Sequence, residues 1–271
     1  MAPRSMAPRP IAARRHDEIL RRLSADGHVS VEEMALRFAV SRETVRRDLK
    51  ALAGRGHLAI VHGGATRRAD EPALADRQGD NPEGKAAIGR AGARLVEDGM
   101  VVLLDSGATT LALAHALAGL APVGPRDKPA WTGLTICTNS LPVGLCLCRV
   151  PGIRVHILGG EVSVGDEAAF GTEALAALSR FRADIAFVGA GGISAAGEVT
   201  DFALIPSDLR ARMLASAERA YIVADRTKFD RLTPIRLQPI PRGTGLIVDA
   251  APPPPMAAAL AERGIEVLIA R

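Results

Sequence analysis

The chain has few aromatic residues, few cysteines and no long hydrophobic segment. Aromatic residues make up 3% of its 271 residues, so aliphatic side chains and Ala must supply most of any core. No apolar run reaches the roughly 20 residues that a transmembrane helix needs. The first ten residues contain Arg and Pro but lack the apolar centre of a secretory signal. These features predict a globular protein of the cytoplasm that has no membrane partner.

The cysteines and histidines do not follow the spacing of a metal site. Cys146 and Cys148 are separated by one residue, and no Cys/His pair completes a zinc site around them. With Cys137 the cysteine count is three, and an odd count favours reduced packing thiols. The run GAGGIS does not match the dinucleotide fingerprint, and no P-loop motif occurs. We therefore expect neither a metal nor a cofactor.

Positive charge is concentrated at the amino end. Residues 1–70 carry a net charge of +6, whereas the remaining 201 residues carry −2. A basic head on a nearly neutral body predicts that a polyanion such as nucleic acid binds at one end only. We interpret residues 1–10, which precede the first periodic segment, as a disordered arm.

Within this basic head, residues 11–66 have the pattern of a winged helix-turn-helix. The run RRHDEILRRLSADG predicts a first helix. Ser30 and Glu33 fit a capping box that begins a second helix, which ends near Phe38. Only two residues then separate this helix from Ser41, where a third helix begins. Two short helices joined so tightly predict a helix-turn-helix, and the strand-like LAIV and the turn HGG that follow predict its wing.

The third helix combines an apolar stripe with a basic free face. Val45, Leu49 and Leu52 recur at helical spacing, and Ser41 can cap the N-terminus. A solvated face is the usual fate of such a charged run, but the preceding helix favours insertion into a DNA major groove. We expect the N-terminal residues to read bases, and Lys50 and the wing to contact phosphates. The predicted DNA-contacting residues are Ser41, Arg42, Glu43, Thr44, Arg46, Arg47, Lys50 and His62.

The head resembles a known family over its whole length. From Arg15 to Ala65 the chain is similar to the N-terminal domain of DeoR-family bacterial transcription regulators. The matching stretches are RRHDEILRRL, VSVEEMALRF, VSRETVRRDL and VHGGA, which agree with the family pattern in type, order and spacing.

The rest of the chain predicts a second, α/β domain. Residues 67–83 are polar and punctuated by Pro and Gly, which indicates an interdomain linker. In residues 84–271 apolar strands alternate with Ala/Leu-rich helices, which predicts a mainly parallel sheet covered on both faces. Residues 121–131 interrupt this alternation, and we expect them to form a surface insertion.

Five loops that follow predicted strands contain Gly, hydroxyl or charged residues. Ligands bind at the carboxyl ends of strands in such sheets. The loop DSGATT leads into a helix, whose free N–H groups and dipole attract an anion, and Lys228 can neutralise a phosphate. A tight turn explains any one of these loops. Together, on one sheet edge, they favour a phosphate-bearing small ligand.

The body also resembles the DeoR family, in its effector-sensing domain. The matching motifs are KAAIG, LLDSGATT, TNS, LGGE, FRADIAFVGAGGIS and ADRTKF. The resemblance implies a Rossmann-like α/β fold similar to those of ribose-5-phosphate isomerase and CoA transferases. The segments TDF, VDAAPPPP and VADRTKF look most like the glycerol-3-phosphate regulon repressor branch.

The resemblance also implies a function. It describes a homo-oligomeric repressor of carbohydrate or polyol catabolism genes, which a phosphorylated sugar or glycerol 3-phosphate releases from double-stranded operator DNA. The implied effector contacts are Asp105, Ser106, Gly107, Thr109, Thr110, Thr138, Asn139, Ser140, Gly159, Gly160, Asp201 and Lys228.

Three positions depart from the family pattern. Ala108 stands where a Thr is usual, Pro206 replaces a usual Glu, and Arg210 replaces a usual Lys. The isomerase-like relatives use a carboxylate near Pro206, and Pro cannot carry a proton, so we expect no enzyme activity and assign no catalytic residue. The alternatives are a sugar-phosphate isomerase-like enzyme fused to a DNA-binding head, and an architectural DNA binder that senses no ligand.

Overall fold

The computed structural model describes residues 11–26, 28–54, 58–61, 63–67, 71–119 and 131–270. The chain divides into two compact units, Met1–Asp70 and Glu71–Arg271. The predicted arm, His62 and most of the predicted insertion lie outside the described residues. Among the residues that are described, no helix combines the length and the hydropathy that crossing a membrane requires.

The first unit packs three helices against a small antiparallel sheet whose strand order is β1-β3-β2. Its elements are α1 (Ile11–Asp26), β1 (His28–Ser30), α2 (Val31–Phe38), α3 (Arg42–Gly54), β2 (Leu58–Val61) and β3 (Gly64–Arg67). Ile19, Met34 and Leu49 are fully or almost fully buried in one aliphatic core. This is the predicted winged helix-turn-helix.

Strand β1 is an element that the sequence did not predict. Ser30 pairs with Gly64 across the β1–β3 ladder, and the two backbones approach closely there. A Cβ atom at Gly64 would lie 2.1 Å from the carbonyl oxygen of Val29, so only Gly fits. The predicted capping box also differs, because Ser30 Oγ accepts its hydrogen bond from the backbone N of Glu32. The Glu33 carboxylate instead accepts from Arg22 of α1 at 2.6 Å.

The second unit is built on a seven-stranded sheet in the order β15-β14-β12-β9-β4-β5-β6. All six neighbouring pairs run parallel. The strands are β4 (Val101–Leu104), β5 (Leu134–Thr138), β6 (Ile153–Ile157), β9 (Ala183–Val188), β12 (Ala217–Val223), β14 (Gly245–Val248) and β15 (Glu266–Ile269). Leu103 belongs to one core cluster, and its neighbours Val102 and Leu104 belong to another, so both faces are covered as predicted.

In the described part of this unit, seven helices accompany the sheet. They are α4 (Leu74–Gly79), α5 (Pro82–Ala93), α6 (Ala108–Leu117), α7 (Leu141–Leu147), α8 (Thr172–Leu178), α9 (Leu204–Ala215) and α10 (Pro254–Glu262), with a 3-10 turn at Arg226–Lys228. Two small antiparallel sheets were not predicted. One pairs β7 (Glu161–Ser163) with β8 (Ala168–Phe170), and the other joins β10 (Gly192–Ile193), β11 (Val199–Asp201) and β13 (Ile235–Arg236).

The interpretation of residues 67–83 as a linker needs correction. Arg67 ends strand β3, and from Glu71 onward the chain belongs to the second unit. Within this stretch α4 buries the side chains of Leu74 and Arg77. The backbone N of Leu74 donates to the carbonyl of Gly165 at 2.7 Å, in the turn between β7 and β8. The partners of this polar, Pro-containing segment thus lie about ninety residues further along the chain, and contacts with them order it.

Candidate functional site

Helix α3 is oriented by its cap and by its buried face. Ser41 Oγ accepts a hydrogen bond from the backbone N of Thr44 at 3.1 Å, as the sequence predicted. Val45 and Leu49 are buried, so the opposite side of the helix faces solvent. Before it, Ala39 has a left-handed φ of 50°, which makes the turn from α2 short.

Asp48 ties α3 to α1 through buried polar contacts. Its carboxylate accepts from Arg15 Nε at 2.7 Å and lies 3.1 Å from His16 Nε2. Burial raises the pKa of Asp48, but the hydrogen bonds from Arg15 and His16 outweigh this and hold the pKa below its ordinary value. Asp48 therefore fixes the position of the exposed face.

That exposed face carries the predicted DNA contacts, and its arginines are partly paired. Arg46 Nη1 lies 3.8 Å and Arg47 Nε 3.6 Å from the Glu43 carboxylate, while Arg42 pairs with Glu32 of α2. Exposed pairs of this kind are weak, so a DNA phosphate or base edge can replace them. Ser41, Arg42, Glu43, Arg46, Arg47 and Lys50 are exposed, and Thr44 is half-buried. The acidic partner of Arg42, Glu32, was not identified from the sequence.

The second candidate site lies at the carboxyl edge of the parallel sheet. The five loops that the sequence singled out follow strands β12, β9, β4, β5 and β6. These strands are neighbours in that order, so the loops emerge along one edge of the sheet. A cleft opens at part of this edge. It is lined by Glu71, Arg77, Asp80, Lys85, Ser106, Gly107, Ala108, Thr109, Thr110, Gly189, Ala190, Arg210, Val223, Thr227 and Lys228.

Five predicted effector residues line this cleft, and four of them belong to the entrance of α6. Gly107, with a φ of 139°, is the N-cap and makes no side-chain capping bond. The first helical hydrogen bond is donated by Leu111 N to the Gly107 carbonyl, at 2.9 Å. The N–H groups of the preceding turn are thus available to an anion. Ser106, Gly107, Thr109, Thr110 and Lys228 are the five predicted residues.

Lys228 brings a cation whose charge is only weakly stabilised. Its side chain is half-buried at the end of the 3-10 turn. Burial, and secondarily the positive charge of Arg231, lowers the pKa of Lys228 to about 8. A bound phosphate would favour its protonated form.

Asp105 and Asp201 lie beneath the cleft, not in its lining. Arg210 Nε donates to Asp105 Oδ2 at 2.6 Å, and Arg210 Nη1 donates to Asp201. All three side chains are almost fully buried. Burial opposes the charge on Arg210, but the two carboxylates outweigh it and raise its pKa. The guanidinium fork, which a Lys could not reproduce, holds both acids, so any effect of Asp105 or Asp201 on an effector would pass through Arg210.

The remaining predicted residues are not themselves part of the cleft lining, although Asn139 Nδ2 lies 3.5 Å from Oγ of the lining residue Ser106. Ser140 Oγ caps α7 by accepting from Val143 N at 3.4 Å, and Ser140 N donates to Thr138 Oγ1 at 3.0 Å. Asn139 Nδ2 donates to the carbonyl of Ala169 at 3.2 Å. Gly159 and Gly160 lead into β7, and Gly160 has a φ of 137°. Effector contacts from Thr138, Asn139, Ser140, Gly159 and Gly160 stay predictions.

The sequence analysis did not single out four charged residues of the cleft lining, Glu71, Arg77, Asp80 and Lys85. Arg77 of α4 pairs with Glu71 and, at 2.7 Å, with Asp166. Lys85 Nζ lies 3.5 Å from Asp225 Oδ2, and also donates to a backbone carbonyl. The signal was present in the run from Glu71 to Lys85, where charged residues recur among Pro, Gly and Asn. Those breakers made the run look like a linker.

Two family models together cover most of the chain. Residues 15–70 match the DeoR-like helix-turn-helix domain, and residues 80–250 match the DeoR C terminal sensor domain. The chain belongs to the DeoR family. Similar proteins include the HTH-type transcriptional repressor CsqR of Escherichia coli, with 29% identity over 94% of each chain. The glycerol-3-phosphate regulon repressor of the same organism is 29% identical over 93% of this chain and 97% of its own.

These findings confirm several predictions for this DeoR-family member. They confirm the family and the α/β class of the sensor domain. They also confirm that the protein is a DNA-binding transcriptional repressor and not an enzyme. Among solved structures, ribose 5-phosphate isomerase a from Methanocaldococcus jannaschii is 15% identical over 55% of each chain, with a TM-score of 0.37. Among the described residues, no His, Cys, Asp and Glu cluster could hold a metal ion.

Proposed function

We propose that this repressor controls genes of carbohydrate or polyol catabolism and leaves its operator when a phosphorylated sugar or polyol binds the sensor cleft. Glycerol 3-phosphate is the first candidate effector, because a relative is named for its regulon. We further propose that the protein acts in the cytoplasm as a homo-oligomer, since symmetric DNA readers bind paired half-sites.

The observation that carries the effector proposal is the entrance of α6. Free backbone N–H groups and the positive end of the helix dipole line the same cleft as Lys228. That combination favours a phosphate over a neutral sugar. The hydroxyls of Ser106, Thr109 and Thr227 line the same cleft and could bind the polyol part of the effector.

A ligand screen tests this half of the proposal. Glycerol 3-phosphate, other phosphorylated sugars and inorganic phosphate are added to the full chain, and thermal unfolding is recorded. A ligand at 100 times its Kd stabilises the folded state by about 2.7 kcal/mol, so the unfolding temperature should rise by roughly 5–10 °C. The substitution Lys228→Met should remove the shift, whereas Lys50→Met, which changes an exposed lysine of α3, should not. A screen in which no phosphorylated compound stabilises the chain would leave the architectural DNA binder as the better description.

The DNA half of the proposal rests on the exposed face of α3. Arg46 projects from its second turn and is exposed, so Arg46→Ala should remove one base or phosphate contact without unfolding the unit. A good base contact is worth about 1–3 kcal/mol. Affinity for a DNA duplex from the promoter region next to the gene of this protein should therefore fall about tenfold or more.

The matched control for Arg46 is Arg21→Ala. Arg21 is also an exposed arginine of the same unit, but it lies on α1 and pairs with Glu18. Both variants are compared with the native chain by gel shift or fluorescence anisotropy at one fixed salt concentration. Equal affinities of the Arg46 and Arg21 variants would contradict the placement of α3 in the groove.

A further inference from the structure

The sensor cleft is narrow. The space inside it that a water molecule can reach is about 30 Å³, although the cleft is partly open to solvent. A sugar phosphate is several times larger, so seating it fully in the cleft requires a lining side chain to move. The charges of the lining residues indicate which one moves.

The acids near the cleft are held with very different strength. Asp105 and Asp201 are buried and share the Arg210 guanidinium. Asp225, also fully buried, accepts from Thr227 N at 2.9 Å and faces Lys85. These three carboxylates are fixed in the floor and wall of the site.

Glu71 differs from them because it lies in the lining itself, half-buried. Among the described residues its ion-pair partner is Arg77, and the charges of Arg210 and Lys228 also act on it. Burial raises the pKa of Glu71, although the nearby arginines oppose this, so its charged form is the poorly stabilised one. The Glu71 carboxylate thus lies near Arg77, Arg210 and Lys228, the cations that an anionic ligand would bind.

Arg77 has an N–H donor available for another hydrogen-bond acceptor. Its side chain is more than nine-tenths buried, and its two terminal nitrogens bind Glu71 and Asp166. Its Nε has no hydrogen-bond partner among the described residues. A buried donor without an acceptor is unfavourable, so a ligand oxygen that reached Arg77 Nε would give this donor an acceptor.

We propose that Glu71 is an internal counter-ion of the cleft, which an anionic effector displaces from Arg77. The inference rests on the proposed function and adds the means by which the cleft signals its occupancy. Glu71 is the first residue of the sensor unit and directly follows the DNA-binding unit in the chain. Its expulsion therefore acts at the point where one unit continues into the other.

The attachment of the following segment supports this route. Residues 71–79 are fastened to the β7–β8 turn by the Leu74 N–Gly165 O hydrogen bond and the Arg77–Asp166 pair, both at 2.7 Å. Through its pair with Arg77, Glu71 continues this attachment to the first residue of the sensor unit. An effector that takes Arg77 from Glu71 frees the amino end of the segment while the rest stays docked.

The substitution Glu71→Gln tests the proposal, with inorganic phosphate as the probe in calorimetric titrations of the full chain. Gln keeps the shape of the side chain but removes the competing charge, so phosphate should bind about tenfold more tightly. Glu218→Gln is the matched control, since Glu218 is an exposed acid of the same unit that pairs only weakly with Arg182. Its phosphate affinity should equal that of the native chain.

A second measurement does not depend on the variant folding well. Hydrogen exchange of the peptide covering residues 71–79 is followed in the native chain with and without saturating phosphate. Faster exchange of its first residues with phosphate supports displacement, and unchanged or slower exchange overturns it. Unaltered phosphate affinity in the Glu71 variant overturns this inference alone, because the anion site itself would still exist. Absence of phosphate binding in both chains overturns the inference together with the proposed effector site.

Discussion

Replacing Arg210 with Met should destabilise the sensor unit by about 3–5 kcal/mol, the loss typical when one partner of a buried ion pair is removed. Met has a similar length, so the change removes charge and hydrogen bonds more than volume. Asp105 and Asp201, which are 0% and 1% exposed, would then be left as buried carboxylates without a cation. For a unit of about 200 residues, this corresponds to a fall in Tm of roughly 6–20 °C.

The assay uses the single Trp of the chain. Trp131 is buried in the sensor unit, where its Nε1 donates to the carbonyl of Leu117 at 2.9 Å. Its fluorescence during urea denaturation therefore reports the unfolding of that unit. Arg182→Met is the control, because Arg182 is 90% exposed and its pair with Glu218 should contribute less than about 1 kcal/mol. A loss under about 1 kcal/mol in the Arg210 variant at neutral pH, with an unchanged denaturation slope, would refute the reasoning.

Two further predictions concern Lys228 and the DNA-binding unit. The pKa of Lys228 is about 8 in the folded chain and 10.5 ordinarily, so the unfolded state binds more protons between these values. The native chain should therefore gain stability relative to Lys228→Met as pH rises from about 8 to 10.5. Urea titrations of both chains at each pH measure this, and a constant difference would contradict it. Leu49→Ala, at a site 1% exposed in the first core, should destabilise that unit by about 2–5 kcal/mol. Loss of helical circular dichroism at lower urea, with the Trp131 transition unmoved, is the expected signature; a coincident shift of both would contradict it.

Local patterns were enough to predict the elements that carry both sites. Ser41 caps α3 where the sequence placed it, and Val45 and Leu49 form its buried face. The strands that end before Asp105 and Asn139 were predicted because a strand buried on both faces is a continuous apolar run. Their parallel order brings the loops to one edge, so the position of the candidate cleft followed from the alternation of strands and helices.

Features that depend on distant partners could not be predicted. Glu33 fits a capping box, but Arg22 of another helix takes its carboxylate. Arg77 looked like part of a solvated linker, and its partner Asp166 is 89 residues away. Asp105 looked like a ligand group, yet Arg210 occupies it. Two-residue strands such as β10 are too short to show any periodicity.

The entrance of α6 has a consequence for how such sensors diverge. A cradle made of main-chain N–H groups survives the exchange of almost any side chain around it, provided that Gly107 keeps its φ of 139°. Ala108 illustrates this, since losing a hydroxyl there leaves its amide in place. Under the proposed function, mutations can therefore change the neighbouring hydroxyls to suit a new metabolite while the main-chain contacts to its anionic group are kept.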